Sequence, residues 1–98
     1  MLDVSVPPVA IAEFCRRHHI RRLALFGSAL RDDFRGDSDV DLLAEFFPGA
    51  TPGLGFFALQ DELSALLGRR VDLNTPGSLS RHFRNEVLAE ARTLYEQA

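Results

Sequence analysis

A chain of 98 residues, 46% hydrophobic and 26% charged, has the size and composition of one globular domain with a modest core. The chain has eleven basic side chains, all of them Arg, and fourteen acidic ones. The resulting formal charge of −3 argues against stable nucleic-acid binding. There is neither an apolar run of the roughly 20 residues that span a bilayer nor a signal-peptide pattern, and the single Cys15 excludes an internal disulfide. We therefore predict a single domain over residues 1–98 in the cytoplasm, with no membrane partner.

The first half of the chain predicts a helix followed by two strands. Ser5 and the Pro7–Pro8 pair favour a helix start, because proline fits the first helical turn. The basic segment Arg16–Arg22 is expected to be the cationic end of that helix in solvent, although contact with a partner or an RNA stays open. Leu23–Phe26 predicts a buried strand, and the apolar segment Val40–Phe46 predicts a strand covered on both faces.

The second half predicts a helix, a strand and a helix. Apolar residues at steps of three and four begin at Phe56, and Gly68 is placed to cap that helix. Val71–Asn74 predicts a third strand. Ser80 is expected to cap a last helix with the apolar stripe Phe83, Val87, Leu88, Ala91, Leu94 and Tyr95. The order of elements indicates an α+β fold, a small mixed β-sheet covered by helices.

Three aspartates point to a metal site. Asp39 and Asp41 are two apart at the start of the second strand, so their side chains share one face and repel each other. A hard divalent cation such as Mg²⁺ relieves that repulsion and prefers oxygen ligands. Asp72 lies between Val71 and Leu73 in a segment predicted to be buried, and a buried carboxylate requires metal or proton chemistry to offset its desolvation.

Gly27 and Ser28 predict a phosphate site. They follow the first strand, where the chain turns into a possible helical turn. Glycine lets the backbone approach a ligand closely, and successive N–H groups at a helix start attract phosphate. The Ser28 hydroxyl adds a donor. Together with the aspartates, this turn predicts a site for a nucleoside triphosphate chelated to metal.

Each feature also has a purely structural interpretation. Gly-Ser after a strand is often only a turn, and Asp-x-Asp at a strand start is often solvated turn chemistry. Asp72 could lie at an exposed sheet edge. A calcium-binding EF-hand is excluded, because the loop starting at Asp37 has Leu42 and Pro48 where that motif needs Gly and Glu. The combination and its order favour the metal and nucleotide site.

The segment Gly27–Leu42, with Gly-Ser followed by Asp-x-Asp, resembles the signature of the DNA-polymerase-beta-like nucleotidyltransferases. It is most similar to their smallest branch, the minimal nucleotidyltransferases paired with HEPN-domain toxins. The resemblance continues through Val71–Pro76 and Val87–Ala91. Asp32 and Gly36 depart from the pattern of this branch, and both lie in the loop between the motifs.

The resemblance implies a role for each matched residue. Asp39, Asp41 and Asp72 would be the metal ligands and catalytic carboxylates, while Gly27 and Ser28 would bind the triphosphate. It also implies that AMP is transferred from ATP, with two Mg²⁺ ions, to a tyrosine hydroxyl of a HEPN toxin, which makes the protein an antitoxin. Because so short a chain leaves no second domain to select an acceptor, the acceptor is expected to come from another molecule.

Two alternatives remain open at this point. A non-catalytic antitoxin could neutralise its partner by masking it. A nucleotidyltransferase of this fold could instead modify a nucleic acid or a small molecule.

Overall fold

The computed structural model describes residues 7–27, 39–50, 52–79 and 81–97. Within these ranges the chain forms a four-stranded mixed sheet with helices on both faces. The elements in chain order are α1 (Pro8–Arg17), β1 (Ile20–Phe26), β2 (Val40–Phe46), α2 (Phe56–Leu67), β3 (Val71–Asn74), a short 3₁₀ helix (Pro76–Ser78), α3 (Arg81–Glu90) and β4 (Arg92–Glu96).

The strand order across the sheet is β3, β2, β1, β4. β1 pairs antiparallel with β2 and with β4, whereas β2 pairs parallel with β3. Parallel strands need a crossover connection, and α2 supplies it. The predicted α+β fold with a small mixed sheet is confirmed.

The larger core lies between one face of the sheet and the helices α1 and α2. Phe14 of α1, Leu63 of α2 and Leu42 of β2 are completely buried there. Cys15 is buried in the same core, and burial raises the pKa of its thiol to about 12. On the opposite face, a smaller cluster joins the sheet to α3 through Leu43 and Val87. Both faces of β2 are therefore covered, as its apolar density predicts.

The first two helices follow their sequence signals. Pro8 begins α1 in the first turn, where its missing N–H needs no partner, while Ser5 lies outside the described residues. Gly68 ends α2 in the left-handed conformation with φ of +65°, and its N–H donates to the carbonyl oxygen of Ser64. In the part of the chain that the structure describes, no helix is both long and apolar enough to cross a bilayer.

The predicted length of the last helix is wrong. α3 ends at Glu90, and Leu94 and Tyr95 belong to strand β4, while Ser80 lies outside the described residues. Without β4, the backbone N–H and C=O groups along one edge of β1 would lack partners. β4 pairs antiparallel with that edge, with Leu23 opposite Tyr95. Strand pairing thus overrides a helical spacing that continues past the helix end.

The interpretation of Arg16–Arg22 as one cationic helix end is also wrong. α1 ends at Arg17, and the chain enters β1 at Ile20. Arg21 and Arg22 are therefore strand residues, and both contact Glu45 of β2. Only the first two arginines of the segment form the exposed end of the helix.

Candidate active site

The parallel pairing of β2 with β3 places two carboxylates side by side. Val40 pairs with Val71, and Asp41 pairs with Asp72 at the next position. Both valines are buried in the larger core. Because successive side chains of a strand point to opposite faces, Asp41 and Asp72 lie together on the other face. Asp41 is half-buried and Asp72 is exposed.

Asp39 precedes Asp41 by two residues and so lies on the same side of the chain. Its Oδ1 is 2.9 Å from Nε of Arg70, which immediately precedes β3. The backbone fixes this neighbourhood, because the N–H of Val40 donates to the carbonyl oxygen of Arg70 at 2.9 Å. We call Asp39, Asp41, Asp72 and Arg70 the carboxylate face.

Gly27 lies directly against this face. Its φ is +70°, a left-handed conformation that favours glycine. A Cβ atom at this position would overlap Oδ2 of Asp41 and would lie 3.2 Å from its Cγ. Glycine at this position therefore leaves room for the Asp41 carboxylate beside the end of β1. Ser28, the second residue of the predicted phosphate turn, lies outside the described residues.

The donor set of the carboxylate face suits a hard divalent cation. The three predicted ligands offer only carboxylate oxygens, and two of them are neighbours across a strand pair, where like charges repel. Across residues 7–27, 39–50, 52–79 and 81–97, no three His, Cys, Asp or Glu side chains are already arranged to hold a metal ion. In this arrangement Asp39 contacts Arg70.

The expectation that Asp72 is buried is wrong. Val71 and Leu73 are buried as predicted, but β3 is an edge strand and Asp72 faces solvent. Desolvation therefore gives no reason for a carboxylate here. The reason to associate Asp72 with a metal site is its register opposite Asp41.

A different arrangement occupies the other end of β2. Glu45 accepts hydrogen bonds from Arg21 and Arg22, each at 3.1 Å, and Nε of Arg22 also donates to the Thr93 hydroxyl of β4. A cavity of about 380 Å³ opens beside this cluster. It is lined by Arg21, Ala44, Glu45, Phe46, Thr75, Pro76 and Gly77. Since Glu45 and Phe46 end β2 whereas Asp39 precedes it, this cavity is separate from the carboxylate face.

The sequence model of the family described as Polymerase beta, Nucleotidyltransferase matches residues 10–98. The chain belongs to this family. The protein adenylyltransferase MntA of Thermococcus cleftensis is 40% identical to this chain over 80 residues, which cover 80% of this chain and 78% of the relative. Membership therefore extends to the branch that contains protein adenylyltransferases.

Solved structures share the fold of this nucleotidyltransferase. A protein described as a minimal nucleotidyltransferase is 40% identical, with a TM-score of 0.71 over 86% of this chain and 85% of its own. A chain of the complex between the tri-AMPylated HEPN toxin of Shewanella oneidensis and its MNT antitoxin has a TM-score of 0.66. It is 20% identical and matches 92% of this chain and 70% of its own, so it shows a common fold.

The site residues predicted from the sequence do not include Arg70. A pattern that identifies it is nevertheless present in the sequence. If Asp41 is aligned with Asp72 in parallel register, Val40 aligns with Val71 and Asp39 aligns with Arg70. The basic residue opposite Asp39 follows from that alignment, but only once a parallel pairing of these two strands is assumed.

Proposed function

We propose that this nucleotidyltransferase is a Mg²⁺-dependent protein adenylyltransferase that transfers AMP from ATP to a tyrosine hydroxyl of a HEPN-domain toxin. It would act in the cytoplasm as the antitoxin of that pair. The observation that carries the proposal is the parallel register of Asp41 and Asp72, with Asp39 on the same face and Gly27 against it. Family membership and the naming of the MntA relative as a protein adenylyltransferase support it.

The carboxylates have distinct roles in this proposal. Asp39 and Asp41 would hold two Mg²⁺ ions, joined by Asp72 on the side where the acceptor arrives. When bound, these ions neutralise phosphate charge and stabilise the attacking and leaving oxygens. Asp41 lies close to the backbone at Gly27, so phosphates bound by the N–H groups of the segment predicted to bind them, Gly27 and Ser28, would lie beside Asp41.

The reaction is an in-line displacement at the α-phosphorus. The tyrosine oxygen forms a bond to that phosphorus, while the bond to the oxygen bridging the α- and β-phosphates breaks and pyrophosphate leaves. The proton of the hydroxyl passes to a carboxylate oxygen of Asp72, which is exposed to solvent on the edge strand and can therefore be reached by a side chain of another protein.

The acceptor would come from a partner protein. All strands and helices of the described ranges belong to the sheet or to its two covering layers. In those ranges no strand pairs with the outer edge of β3, beside Asp72. The name of the Shewanella complex, a tri-AMPylated HEPN toxin with an MNT antitoxin, supports a toxin as the modified partner.

The test is transfer of label from α-labelled ATP, in the presence of Mg²⁺, to the protein encoded next to this chain. We expect label on a tyrosine of that neighbour and loss of its toxicity. An Asp39→Ala/Asp41→Ala variant should transfer no label and should not neutralise the toxin. Asp61→Asn, on the exposed side of α2, is the control for removing an acidic group elsewhere.

The same experiment separates the two alternatives. If the double variant neutralises the toxin fully while the wild type transfers no label, masking without catalysis replaces the proposal. If label appears on a nucleic acid or a small molecule when the protein partner is omitted, the acceptor class is wrong although the chemistry stands.

A further inference from the structure

Arg70 is the basic residue of the carboxylate face. Four residues lie there in two pairs. Asp41 is beside Asp72 in the parallel strands, and Asp39 forms an ion pair with Arg70 just before the strands begin. Three of them carry a negative charge and one carries a positive charge. Arg70 is therefore the basic member of a group whose other three members are carboxylates.

We propose that Arg70 is a positioning residue that stands in for the divalent cation when the site is empty of metal. The inference rests on the proposed function, because it assumes that the carboxylate face binds a divalent cation. The guanidinium contacts Oδ1 of Asp39 at 2.9 Å, and this oxygen belongs to one of the proposed metal ligands. An incoming cation therefore competes with Arg70 for Asp39.

The exposure of the pair suits such an exchange. The side chain of Arg70 is 77% exposed and that of Asp39 is 50% exposed. A solvated ion pair of this kind gains little, because water and salt screen it and both side chains lose freedom. Arg70 can therefore neutralise the metal-free site and still leave Asp39 when a doubly charged ion arrives.

The backbone keeps Arg70 near the site after the exchange. The carbonyl oxygen of Arg70 accepts the hydrogen bond of Val40, which follows Asp39 directly. Only the side chain has to move, so metal binding requires no change in strand pairing. Arg70 thus lowers the affinity for free metal without disturbing the geometry of the carboxylates on β2 and β3.

The experiment measures Mn²⁺ binding to the full chain by the loss of the free-ion electron paramagnetic resonance signal, without nucleotide or partner. We expect Arg70→Gln to bind Mn²⁺ about two- to fivefold more tightly than the wild type, in keeping with the small contribution of exposed ion pairs. Arg70→Lys keeps the charge and should bind as the wild type does. Raising the salt concentration should narrow the difference between Arg70→Gln and the wild type.

Arg16→Gln is the matched control. Arg16 is exposed on α1, which packs on the opposite face of the sheet, so its loss changes the net charge equally but leaves the carboxylate face intact. Its Mn²⁺ affinity should equal that of the wild type. Thermal unfolding of each variant verifies that the fold is retained.

Equal or weaker Mn²⁺ binding by Arg70→Gln would overturn the inference about Arg70. If the wild type still binds Mn²⁺ and transfers label in that case, the proposed function is unaffected. Absence of Mn²⁺ binding by both proteins would overturn the inference as well, and together with absent label transfer it would also count against the proposed function.

Discussion

The two ends of β2 carry acidic residues in opposite circumstances. At the end of the strand, Glu45 is held by the guanidinium groups of Arg21 and Arg22, which belong to the neighbouring strand β1. At its start, Asp41 has another carboxylate, Asp72, as its partner in the sheet. Loss of a carboxylate that pairs with the chain's own cations leaves those cations unpaired and destabilises the fold, whereas neighbouring carboxylates are stabilised most when a cation from outside binds them.

The largest expected effect comes from Asp41→Asn. We expect AMP transfer to fall by at least about 1000-fold, because metal stabilisation of a phosphoryl transition state is worth several kcal/mol. The free energy of unfolding of the metal-free protein should change by no more than about 1 kcal/mol, since the substitution also removes repulsion from Asp72. Label transfer and urea unfolding measure the two quantities. Transfer close to that of Asp61→Asn would show that Asp41 is not a catalytic ligand.

Gly27→Ala should separate backbone strain from damage to the site. A Cβ there displaces the Asp41 carboxylate, and misplacing a catalytic group by about 1 Å can lower a rate roughly 100-fold. Gly49→Ala is the matched control, because Gly49 also has a positive φ, of +80°, but has no atom within 4 Å of its Cβ position. Both variants should lose about 1–2 kcal/mol of stability from the left-handed backbone.

Only Gly27→Ala should lose transfer activity, and the activities are compared at a temperature where both variants are folded. Equal activity of the two alanine variants would contradict the positioning role of Gly27. In that case the left-handed backbone conformation alone would account for a glycine at position 27.

Glu45→Gln should show the reverse behaviour to Asp41→Asn. It removes the negative charge that two arginines share, and only 18% of the Arg22 side chain is exposed. We expect a loss of about 1–3 kcal/mol in the free energy of unfolding, with transfer activity of the folded protein within about twofold of the wild type. Urea unfolding and label transfer are the measurements.

Glu62→Gln provides the comparison for an exposed pair. Glu62 contacts Arg17 on the outside of the helical layer, where the Arg17 side chain is 61% exposed, so its loss should cost less than about 1 kcal/mol. If Glu45→Gln were no more destabilising than Glu62→Gln, Glu45 would be an ordinary surface acid.

The effect of Cys15 on stability appears only in alkali. Burial raises the pKa of its thiol from 9.0 to about 12, so the folded protein keeps a proton that the unfolded chain releases. The contribution to stability is complete below pH 9 and is lost as the pH rises toward 12. At pH 10 we expect a loss of about 1.4 kcal/mol relative to pH 8, absent in Cys15→Ala, as measured by urea unfolding. Parallel pH dependence in the two proteins would contradict it.

The sequence predicts those parts of the molecule that depend on local patterns. The stripe of α2, its end at Gly68 and the apolar strands β2 and β3 all follow from spacing within a few residues. β4 does not, because Leu94 and Tyr95 continue the helical spacing of the preceding stripe, and only the open edge of β1 makes the strand favourable.

The candidate site shows the same division. The spacing of Asp39 and Asp41 is local, so their shared face could be predicted. The exposure of Asp72 and the contact of Arg70 with Asp39 depend on which strand pairs with β2, in which direction and in which register. The identity, direction and register of the partner strand depend on residues far apart in the sequence. No pattern within β2 or β3 alone predicts them. The phosphate role of Ser28 stays a prediction.

The crossover through α2 means that the site is assembled from two stretches of sequence that could be supplied as separate molecules. Asp41 and its glycine neighbour lie before the connection between β2 and α2, and Asp72 lies after it. A break in that connection would leave the hydrogen bonds between the described strands and the apolar contacts of α2 available for reassociation. We expect the two fragments to recover transfer activity on mixing, so that activity itself would report their encounter.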